Sequence, residues 1–438
     1  MFQAVRFLVR GSAVVLAAMS AYILYLFQVL QGKTRTPENR EIVRGEVLAE
    51  LFVSLGATFI KFGQILSTRP DLLGPGYIKA LSRLQDQVPS LPFEELESVL
   101  DKELSRDARG QLAFIEPNPL AAASVAQVHR GVLISGEEVA LKIQRPGAAK
   151  QIWQDVLLMT VIAGWLDKIP TMKMLSLPGA VERFGEAMKG QLDFRDEAAN
   201  NRRFSDLFAT TPDIGVPKLY PEMCTERVLV MEMIHGVRAS EPEQVGGQRA
   251  KLARIGFDAV LKMVFNYGFV HADMHPGNIL LTPEGRVILI DLGLVAEIPD
   301  EMKRPWVETF VALSSADAKA AARLFYEYAP TVGQVDYPAY EVDVRDHFKC
   351  FAGKNLGEVE AAEVLGGMMN VLRKHRVQID PVFTVVNIAL LVSEGLGKQL
   401  DESLDFMTMA GPYLMEAVAT APPGRSPRRT PPLEEAVA

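Results

Sequence analysis

The fold of this chain is decided by the stretch Val270-His271-Ala272-Asp273-Met274-His275-Pro276-Gly277-Asn278-Ile279-Leu280-Leu281. Asp273 is followed five positions later by the amide Asn278, and then by a short apolar strand. A turn and a second apolar strand lead to another acid in Asp291-Leu292-Gly293. Magnesium prefers hard oxygen donors and takes few of them from protein when phosphates supply the rest. Asn278 and Asp291 are therefore the predicted metal ligands.

The spacing of these residues matches the catalytic machinery of protein kinases. In the motif H-R-D-x-x-x-x-N, the Asp accepts or orients the proton of the attacking hydroxyl, and the Asn holds magnesium. The Asp of D-F-G supplies the other metal ligand. Asp273 is accordingly the predicted catalytic acid. An ordinary turn would explain any one Asp–Asn pair, but it explains the whole constellation poorly.

The composition sets limits on the classes of protein to consider. A chain of 438 residues, 48% hydrophobic and 23% charged, is long enough for two or three domains. Its net charge of -8 argues against a general nucleic-acid binder, for which a basic surface is expected. Two cysteines, Cys224 and Cys350, are too few for a disulfide framework or a zinc site. A reducing compartment is the simplest interpretation.

The N-terminal segment carries no charge from Gly11 to Leu30. Twenty residues of helix can cross a bilayer's hydrocarbon, but tyrosines and glutamines make this stretch less apolar than a typical span. Three interpretations stay open: a membrane anchor, an amphipathic or buried helix lying on the membrane or the fold, and a cleaved signal peptide. The basic residues that follow favour a cytoplasmic downstream domain; they are Lys33, Arg35, Arg40 and Arg44.

An alanine-rich segment precedes the lysine strand Val139-Ala140-Leu141-Lys142, which matches the V-A-I-K pattern. On the template G-x-G-x-x-G-x-V, the glycine positions are alanines, which disfavour positive φ and predict a stiffer nucleotide loop. The nucleotide-binding residues predicted here are Ala121, Ala122, Ala123, Ser124, Val125, Ala126 and Val128. Lys142 is predicted to contact the α- and β-phosphates.

Two further nucleotide-site predictions depend on the position of Lys142. Glu197 is the predicted partner of Lys142, although it follows the lysine by fifty-five residues, so that a largely helical insertion of about residues 153–184 intervenes. An exposed helix charge is the alternative for Glu197. Glu232 and Met233, at the end of an apolar strand, are predicted to hold adenine through their backbone.

The chain resembles the UbiB family of atypical protein-kinase-like proteins over about residues 40–400. The motifs that carry the resemblance are Lys61-x-Gly63-Gln64, the alanine-rich loop, Lys142, Glu197, the Asp273 loop and Asp291-Leu292-Gly293. The resemblance implies an α+β, two-lobed kinase-like fold, predominantly helical, with a helical N-terminal extension packed over the active site. Lys61 and Gln64 would then gate access.

One position departs from the family pattern. Where the family has an acid that pairs with the lysine of Lys-x-Gly-Gln, this chain has Gln191. An amide cannot neutralise Lys61, so that Asp193 would carry more of the interaction or the clamp would be weaker.

The predicted organisation has five segments. They are a membrane-associating segment at 1–32, a helical extension at 33–110, an N-lobe at 111–237, a helical C-lobe at 238–420 and a disordered, proline-rich tail at 421–438.

The resemblance implies an ATP- and Mg²⁺-dependent protein at the bacterial cytoplasmic membrane, with its kinase-like domain on the cytoplasmic side. It would hydrolyse ATP or phosphorylate a small or lipid-like acceptor in support of ubiquinone biosynthesis. The expected partners are membrane lipids, quinone precursors and quinone-biosynthesis proteins, and not nucleic acid. A conventional protein kinase is one alternative, which the missing Ala-Pro-Glu motif disfavours. A nucleotide-switched pseudoenzyme that acts as a scaffold or handles lipids is another, disfavoured by Asp273.

Overall fold

A computed structural model describes residues 2–67, 73–84, 89–169, 177–241, 244, 248–351 and 361–432. The chain is α+β and predominantly helical, as predicted, and it divides into two compact units. The first contains the described residues up to 203 together with 217–234; the second contains 204–216 and the described residues from 235. The division into an N-lobe at 111–237 and a C-lobe at 238–420 stays a prediction; the first unit ends at residue 234, and the segment 204–216 belongs to the second unit.

The N-terminal half of the chain is mostly helical around one antiparallel sheet. The helices are α1 (Phe2–Leu30), α2 (Pro37–Leu55), α3 (Ala57–Ser67), α4 (Pro75–Leu81), α5 (Phe93–Glu103), α6 (Arg106–Gly110), α7 (Ala148–Leu166), α8 (Leu177–Leu192) and α9 (Phe194–Leu207). The strands are β1 (Leu112–Ile115), β2 (Ala121–Ala122), β3 (Ala126–Leu133), β4 (Glu138–Gln144) and β6 (Val228–Glu232). They are ordered β1-β3-β4-β6, with β2 paired to β3.

Strand β4 positions the predicted lysine through the alternation of its side chains. Val139, Leu141 and Ile143 are fully buried and pack in one cluster with residues of α5 and β6. Because successive side chains of a strand point to opposite faces, Lys142 lies on the other face of the sheet.

Helix α1 lies antiparallel along α2. Near one end, the Arg10 guanidinium donates to the Leu55 carbonyl oxygen at 2.6 Å; near the other, Arg44 lies 5.8 Å from the centre of the Tyr25 ring. Val14, between these contacts, is buried in the hydrophobic cluster of the unit. The helix therefore lies on the fold, which is the second of the three arrangements the sequence leaves open. Its segment Val9–Leu30 is also long and apolar enough to cross a membrane.

The second unit combines short strands with a helical core. Its strands are β5 (Ile214–Gly215), β7 (Val237–Arg238), β8 (Phe269–His271), β9 (Ile279–Leu281), β10 (Val287–Leu289) and β11 (Val295–Glu297). They form a sheet ordered β5-β10-β9-β7 and a separate pair, β8 with β11. The helices are α10 (Arg249–Leu261), α11 (Asp300–Ser314), α12 (Ala318–Tyr328), α13 (Tyr337–Lys349), α14 (Ala361–Lys374), α15 (Pro381–Leu400) and α16 (Phe406–Thr420), with a π-helical turn at Lys262–Tyr267.

The C-terminal segment differs from the disordered tail predicted at 421–438. Residues 421–432 lack regular secondary structure but lie against the second unit. The Arg304 guanidinium donates to the Ala421 carbonyl oxygen at 2.9 Å, the Arg425 N–H donates to the Glu301 carbonyl oxygen, and Arg429 lies over the Tyr326 ring. Composition predicts disorder because these partners are distant in sequence. Residues 433–438 lie outside the described part of the chain.

We predict that ending the chain after Ala421 lowers its stability relative to a chain ending after Pro432. The shorter variant loses the contacts of Arg425 with Glu301 and of Arg429 with Tyr326, together with the packing of Gly424 on Pro305. Each is worth roughly 1 kcal/mol. Thermal unfolding of the two variants measures the difference, expected to be several degrees. Equal midpoints would mean that the segment does not stabilise the unit.

Candidate active site

The predicted partner of Lys142 is present in the structure. The Lys142 Nζ lies 2.9 Å from Glu197 Oε1 and 2.8 Å from Glu197 Oε2. The side chain of Glu197 is only 5% exposed and that of Lys142 only 15%. A carboxylate at this depth needs a compensating charge, because burial of a lone charge is costly. The lysine is thereby held charged and extended on the face of the sheet opposite to the α5 cluster.

Gln144 reinforces this arrangement and was missed in the sequence analysis. It lies two residues after Lys142, on the same face of β4, and is buried. Its Nε2 donates to the Leu192 carbonyl oxygen at 2.7 Å, and its Oε1 accepts from Arg227 Nε at 3.0 Å. The bond to Leu192 holds strand β4 against the C-terminal end of α8, immediately before α9, the helix that carries Glu197. A polar residue two positions from a functional lysine, in an apolar strand, was the available signal.

The alanine-rich loop is a tight turn. The Ala123 N–H donates to the Ala126 carbonyl oxygen at 2.9 Å, and Leu120 N–H donates to the Val128 carbonyl oxygen. No residue from 121 to 126 has a positive φ. The backbone thus stays within the conformations alanine favours, in agreement with the expected loss of the glycine conformations. Whether the loop binds phosphates stays a prediction.

Residues 89–91, within the predicted helical extension, are fixed to this loop. Arg145 donates to the Pro89 carbonyl oxygen at 3.1 Å and to the Ala123 carbonyl oxygen at 3.3 Å. The buried Gln127 accepts from the Leu91 N–H at 2.5 Å and donates to the Leu91 carbonyl oxygen at 3.3 Å. The two side chains therefore couple the position of residues 89–91 to that of the predicted nucleotide loop.

Some of the groups at the positions predicted to bind adenine already form hydrogen bonds within the protein. The Met233 N–H donates to the Glu138 carbonyl oxygen at 3.2 Å, and Glu232 Oε2 accepts from the Lys218 N–H at 3.2 Å. An adenine contact at Met233 would therefore use its carbonyl oxygen.

The residues predicted to gate access lie on or near α3. Gln64 Nε2 donates to the Leu84 carbonyl oxygen at 3.0 Å, and Gly63 packs so closely that an added Cβ would lie 2.5 Å from Leu84 Cδ1. Asp193 forms an ion pair with Arg195 at 2.6 Å, and this lowers the pKa of the Asp193 carboxyl. Arg195 is thus the partner of Asp193 in the structure, whereas the gating roles of Lys61 and Gln64 stay predictions.

In the second unit, the Asp273 loop is bound to the strand before Asp291 by a buried histidine. The Asp273 N–H donates to His271 Nδ1 at 3.1 Å, and His271 Nε2 lies 3.2 Å from the Ile290 carbonyl oxygen. Because Nδ1 accepts a hydrogen bond, the proton must be on Nε2, which then donates to Ile290. Burial lowers the pKa of His271 and so favours this neutral form.

The amide of Asn278 is oriented by the same loop. Its Nδ2 donates to the Asp273 backbone oxygen at 3.0 Å, which leaves Oδ1 as the atom that would bind a cation. Asp291 has φ of 55°, in the left-handed region that Asp and Asn tolerate better than most residues. Such backbone strain is often found at functional sites.

The donor set of this loop fits magnesium held together with phosphates. Asn278 offers an amide oxygen and Asp291 a carboxylate, both hard donors. In the described part of the chain, no group of three or more His, Cys, Asp or Glu side chains could hold a metal ion. Phosphate oxygens of a nucleotide and water would complete the coordination of a magnesium ion held by these two donors.

Comparisons with known proteins agree with this geometry. The family model of the ABC1 atypical kinase-like domain matches residues 83–325, and that of the UbiB helical domain matches residues 344–405. The chain is 33% identical, over 86% of its length and 70% of the relative, to a protein named probable protein kinase UbiB from Cellvibrio japonicus. It is 30% identical to protein ACTIVITY OF BC1 COMPLEX KINASE 3, chloroplastic, from Arabidopsis thaliana, over 94% of this chain. The chain spans 58% of the length of that plant relative.

A solved structure extends the comparison to the fold. The chain in the complex of Rv3197 with erythromycin, from Mycobacterium tuberculosis, superposes with a TM-score of 0.52 at 26% identity, covering 79% of this chain and 92% of that one. The fold and the site define the class as kinase-like. Within it, the chain belongs to the UbiB family of ABC1 atypical kinase-like proteins, which confirms the family inferred from the sequence.

We predict that Lys142→Met destabilises the protein by about 3–5 kcal/mol, because it leaves the buried Glu197 carboxylate without its partner. The double variant Lys142→Met/Glu197→Gln should recover much of this loss, since a neutral amide costs less to bury. Urea unfolding measures both. Equal stability of the single and double variants would contradict the pair's importance for the fold.

The lowered pKa of His271 predicts how stability depends on pH. Its folded-state pKa lies below the ordinary 6.5, so that its contribution is present above 6.5 and is lost as the pH falls below that value. We expect the thermal midpoint to fall between pH 7.5 and 5.5, with a smaller fall in His271→Phe. Burial also lowers the pKa of His129, so that this residue adds to the fall of the thermal midpoint at low pH. The His271→Phe variant keeps that contribution. An unchanged pH slope in His271→Phe would refute the assignment.

Proposed function

We propose that this protein is a Mg²⁺- and ATP-dependent enzyme that hydrolyses ATP, or transfers its terminal phosphoryl group to a small or lipid-like acceptor. The observation that carries the proposal is the buried Lys142–Glu197 pair, at 2.8 Å, because it holds an ammonium group for nucleotide phosphates. In this proposal Lys142 is the cation for the phosphates, Asp273 is the catalytic acid, and Asn278 and Asp291 are the metal ligands.

Each residue has a role that follows from its chemistry. The Asp273 carboxylate would orient the attacking water or hydroxyl and accept its proton while the bond to the terminal phosphorus forms and the bond to the departing nucleoside diphosphate breaks. Magnesium, when bound, would neutralise the phosphate charge. His271 accepts a hydrogen bond from the Asp273 N–H and is therefore a positioning residue.

The short segment after Asp291 favours a small acceptor over a protein. Strand β11 begins at Val295 and pairs with β8, and α11 begins at Asp300. This leaves no room in the segment 291–300 for the long activation loop that shapes the peptide-docking surface of conventional protein kinases. The ubiquinone role, with quinone precursors and quinone-biosynthesis proteins as partners, rests on the family resemblance.

We place this activity at the inner face of the bacterial cytoplasmic membrane. The support is the apolar helix α1 together with the basic residues that follow it, which favour a cytoplasmic position for the kinase-like domain.

The test is ATP turnover by the purified full chain on anionic vesicles that contain a quinone-precursor mimic. We expect turnover that needs magnesium and falls at least 100-fold in both Asp273→Asn and Asp291→Asn. Asn is the suitable replacement at position 291 because it tolerates the left-handed backbone, so that stability is preserved while the charge is lost.

The result of this experiment distinguishes the enzymatic proposal from its two alternatives. Magnesium-dependent nucleotide binding without turnover under any lipid condition would overturn the enzymatic proposal and favour a nucleotide-switched scaffold. Phosphorylation of a protein substrate that exceeds turnover on lipid would favour the protein-kinase alternative.

A further inference from the structure

Between Val9 and Leu30, the exposed side of α1 is mostly apolar and its polar side chains there are small, such as Ser12 and Ser20. Helix α1 turns Arg10, Val14 and Tyr25 toward the rest of the unit. The opposite face is exposed and consists of large apolar side chains: Val15, Leu16, Met19, Tyr22, Ile23, Leu26, Phe27 and Leu30. A continuous apolar surface of this length on a protein normally marks an interaction site.

Helix α7, in the insertion that follows Lys142, carries a second exposed apolar stripe. Trp153, Leu157, Val161 and Trp165 recur every four residues, so that they lie on one side of the helix, and Trp165 is 70% exposed. At 1.5 Å per residue, the two tryptophans are about 18 Å apart along the helix axis. Tryptophan is enriched where proteins meet the interface of a bilayer, because its ring has an apolar body and a polar N–H.

The two helices are fastened to each other beneath these faces. The Arg10 Nε lies 2.6 Å from Asp155 Oδ1, and its NH2 group lies 3.0 Å from Asp155 Oδ2. Asp155 is only 1% exposed, so that the pair is a bidentate ion pair with a buried carboxylate. Val14 of α1 and Leu158 of α7 also share one hydrophobic cluster. The apolar faces of α1 and α7 therefore belong to adjacent, mutually fixed helices.

The charges around these faces fit an anionic lipid surface. The outward residues of α1 carry no charge between positions 11 and 30, and the exposed charges that follow directly are mostly basic: Lys33, Arg35 and Arg40, with one acid, Glu38. Neighbouring α8 is different, because its exposed positions are charged: Glu182, Arg183, Glu186 and Lys189. Continuous apolar exposure is thus found on α1 and α7 and not on α8, while α2 exposes the single large apolar side chain Val53.

We propose that the outer faces of α1 and α7 form one lipid-binding surface, by which the first unit lies in the interface of an anionic bilayer with α1 parallel to the membrane plane. This inference rests on the membrane location proposed above and identifies the surface of the protein that would contact the lipids. An in-plane helix buries one apolar face among lipids. An isolated in-plane helix turns its polar residues to water. In α1, the polar residues Arg10 and Tyr25 face the protein instead.

The chain's own tryptophans provide the test. Its three tryptophans are Trp153, Trp165 and Trp306, and the last is 2% exposed and serves as an internal reference. Full-length Trp153→Phe and Trp165→Phe variants are mixed with phosphatidylglycerol-containing vesicles whose acyl chains are brominated near the headgroup or near the bilayer centre. We expect the remaining α7 tryptophan to lose at least half of its emission, with the shallow bromines quenching more strongly.

The orientation of α1 is tested with the same vesicles. Tyr22→Trp, made in a Trp153→Phe/Trp165→Phe background, reports the depth of the middle of α1. Stronger quenching by shallow bromines supports the in-plane arrangement. Stronger quenching by deep bromines would show that α1 spans the bilayer and would overturn it.

A matched pair of charge variants tests the surface independently. Trp165→Asp should weaken vesicle binding at least tenfold, whereas Ile134→Asp should not, although Ile134 is equally exposed, at 71%, on a hairpin of the same unit. Binding to vesicles without quenching of Trp153 or Trp165 would overturn the assignment of α7. A concentration-dependent dimer, disrupted by Trp165→Asp and unaffected by vesicles, would instead assign the surface to a second copy.

Magnesium-ATP binding in solution is measured on the same variants. It tests the proposed enzymatic function separately, since neither Trp165 nor Ile134 belongs to the predicted nucleotide site. Unsubstituted protein that binds magnesium-ATP but not vesicles would refute the lipid-binding surface alone, whereas protein that binds vesicles but not magnesium-ATP would refute the enzymatic proposal alone.

Discussion

The first unit depends on the neutralisation of one buried charge. Glu197 is almost fully enclosed, and Lys142 compensates its carboxylate from a neighbouring strand. A buried pair of this kind adds little net stability, but either half alone is expensive, so that the two elements can form only together. Gln144 shares this constraint, since it binds the end of α8 and thereby fixes where α9 starts.

The second unit is organised around a neutral histidine in place of an ion pair. His271 accepts from the Asp273 N–H and donates to Ile290, so that one ring fixes both the catalytic loop and the segment that leads into Asp291. The ring can do both only while it keeps a single proton, and complete burial maintains that state. Loops that carry chemistry need such support, because few backbone contacts restrain them otherwise.

The ambiguity of the N-terminal stretch has a physical explanation. Its composition resembles a membrane span that is interrupted by polar residues, and Tyr25 is one of those residues. In the structure, Tyr25 and the preceding Arg10 face α2 and α7, and the large side chains exposed between Val9 and Leu30 are apolar or aromatic. A hydropathy average cannot separate these two faces, whereas the packing of the helix does.

The sequence by itself determined the family and the kinase-like fold, and it predicts the residues of the candidate site, because motif spacing along the chain is a local property. Asp273 and Asn278 are five residues apart, and the loop between them is short enough for the spacing to define its geometry. Glu197 was found only by its place in a motif, since fifty-five residues separate it from Lys142. The tertiary structure alone decided the partner of the Met233 N–H, the packing of residues 421–432 and which faces of α1 and α7 stay exposed. Each of these depends on which segments, distant in the sequence, pack against one another, and neither periodicity nor composition specifies that pairing.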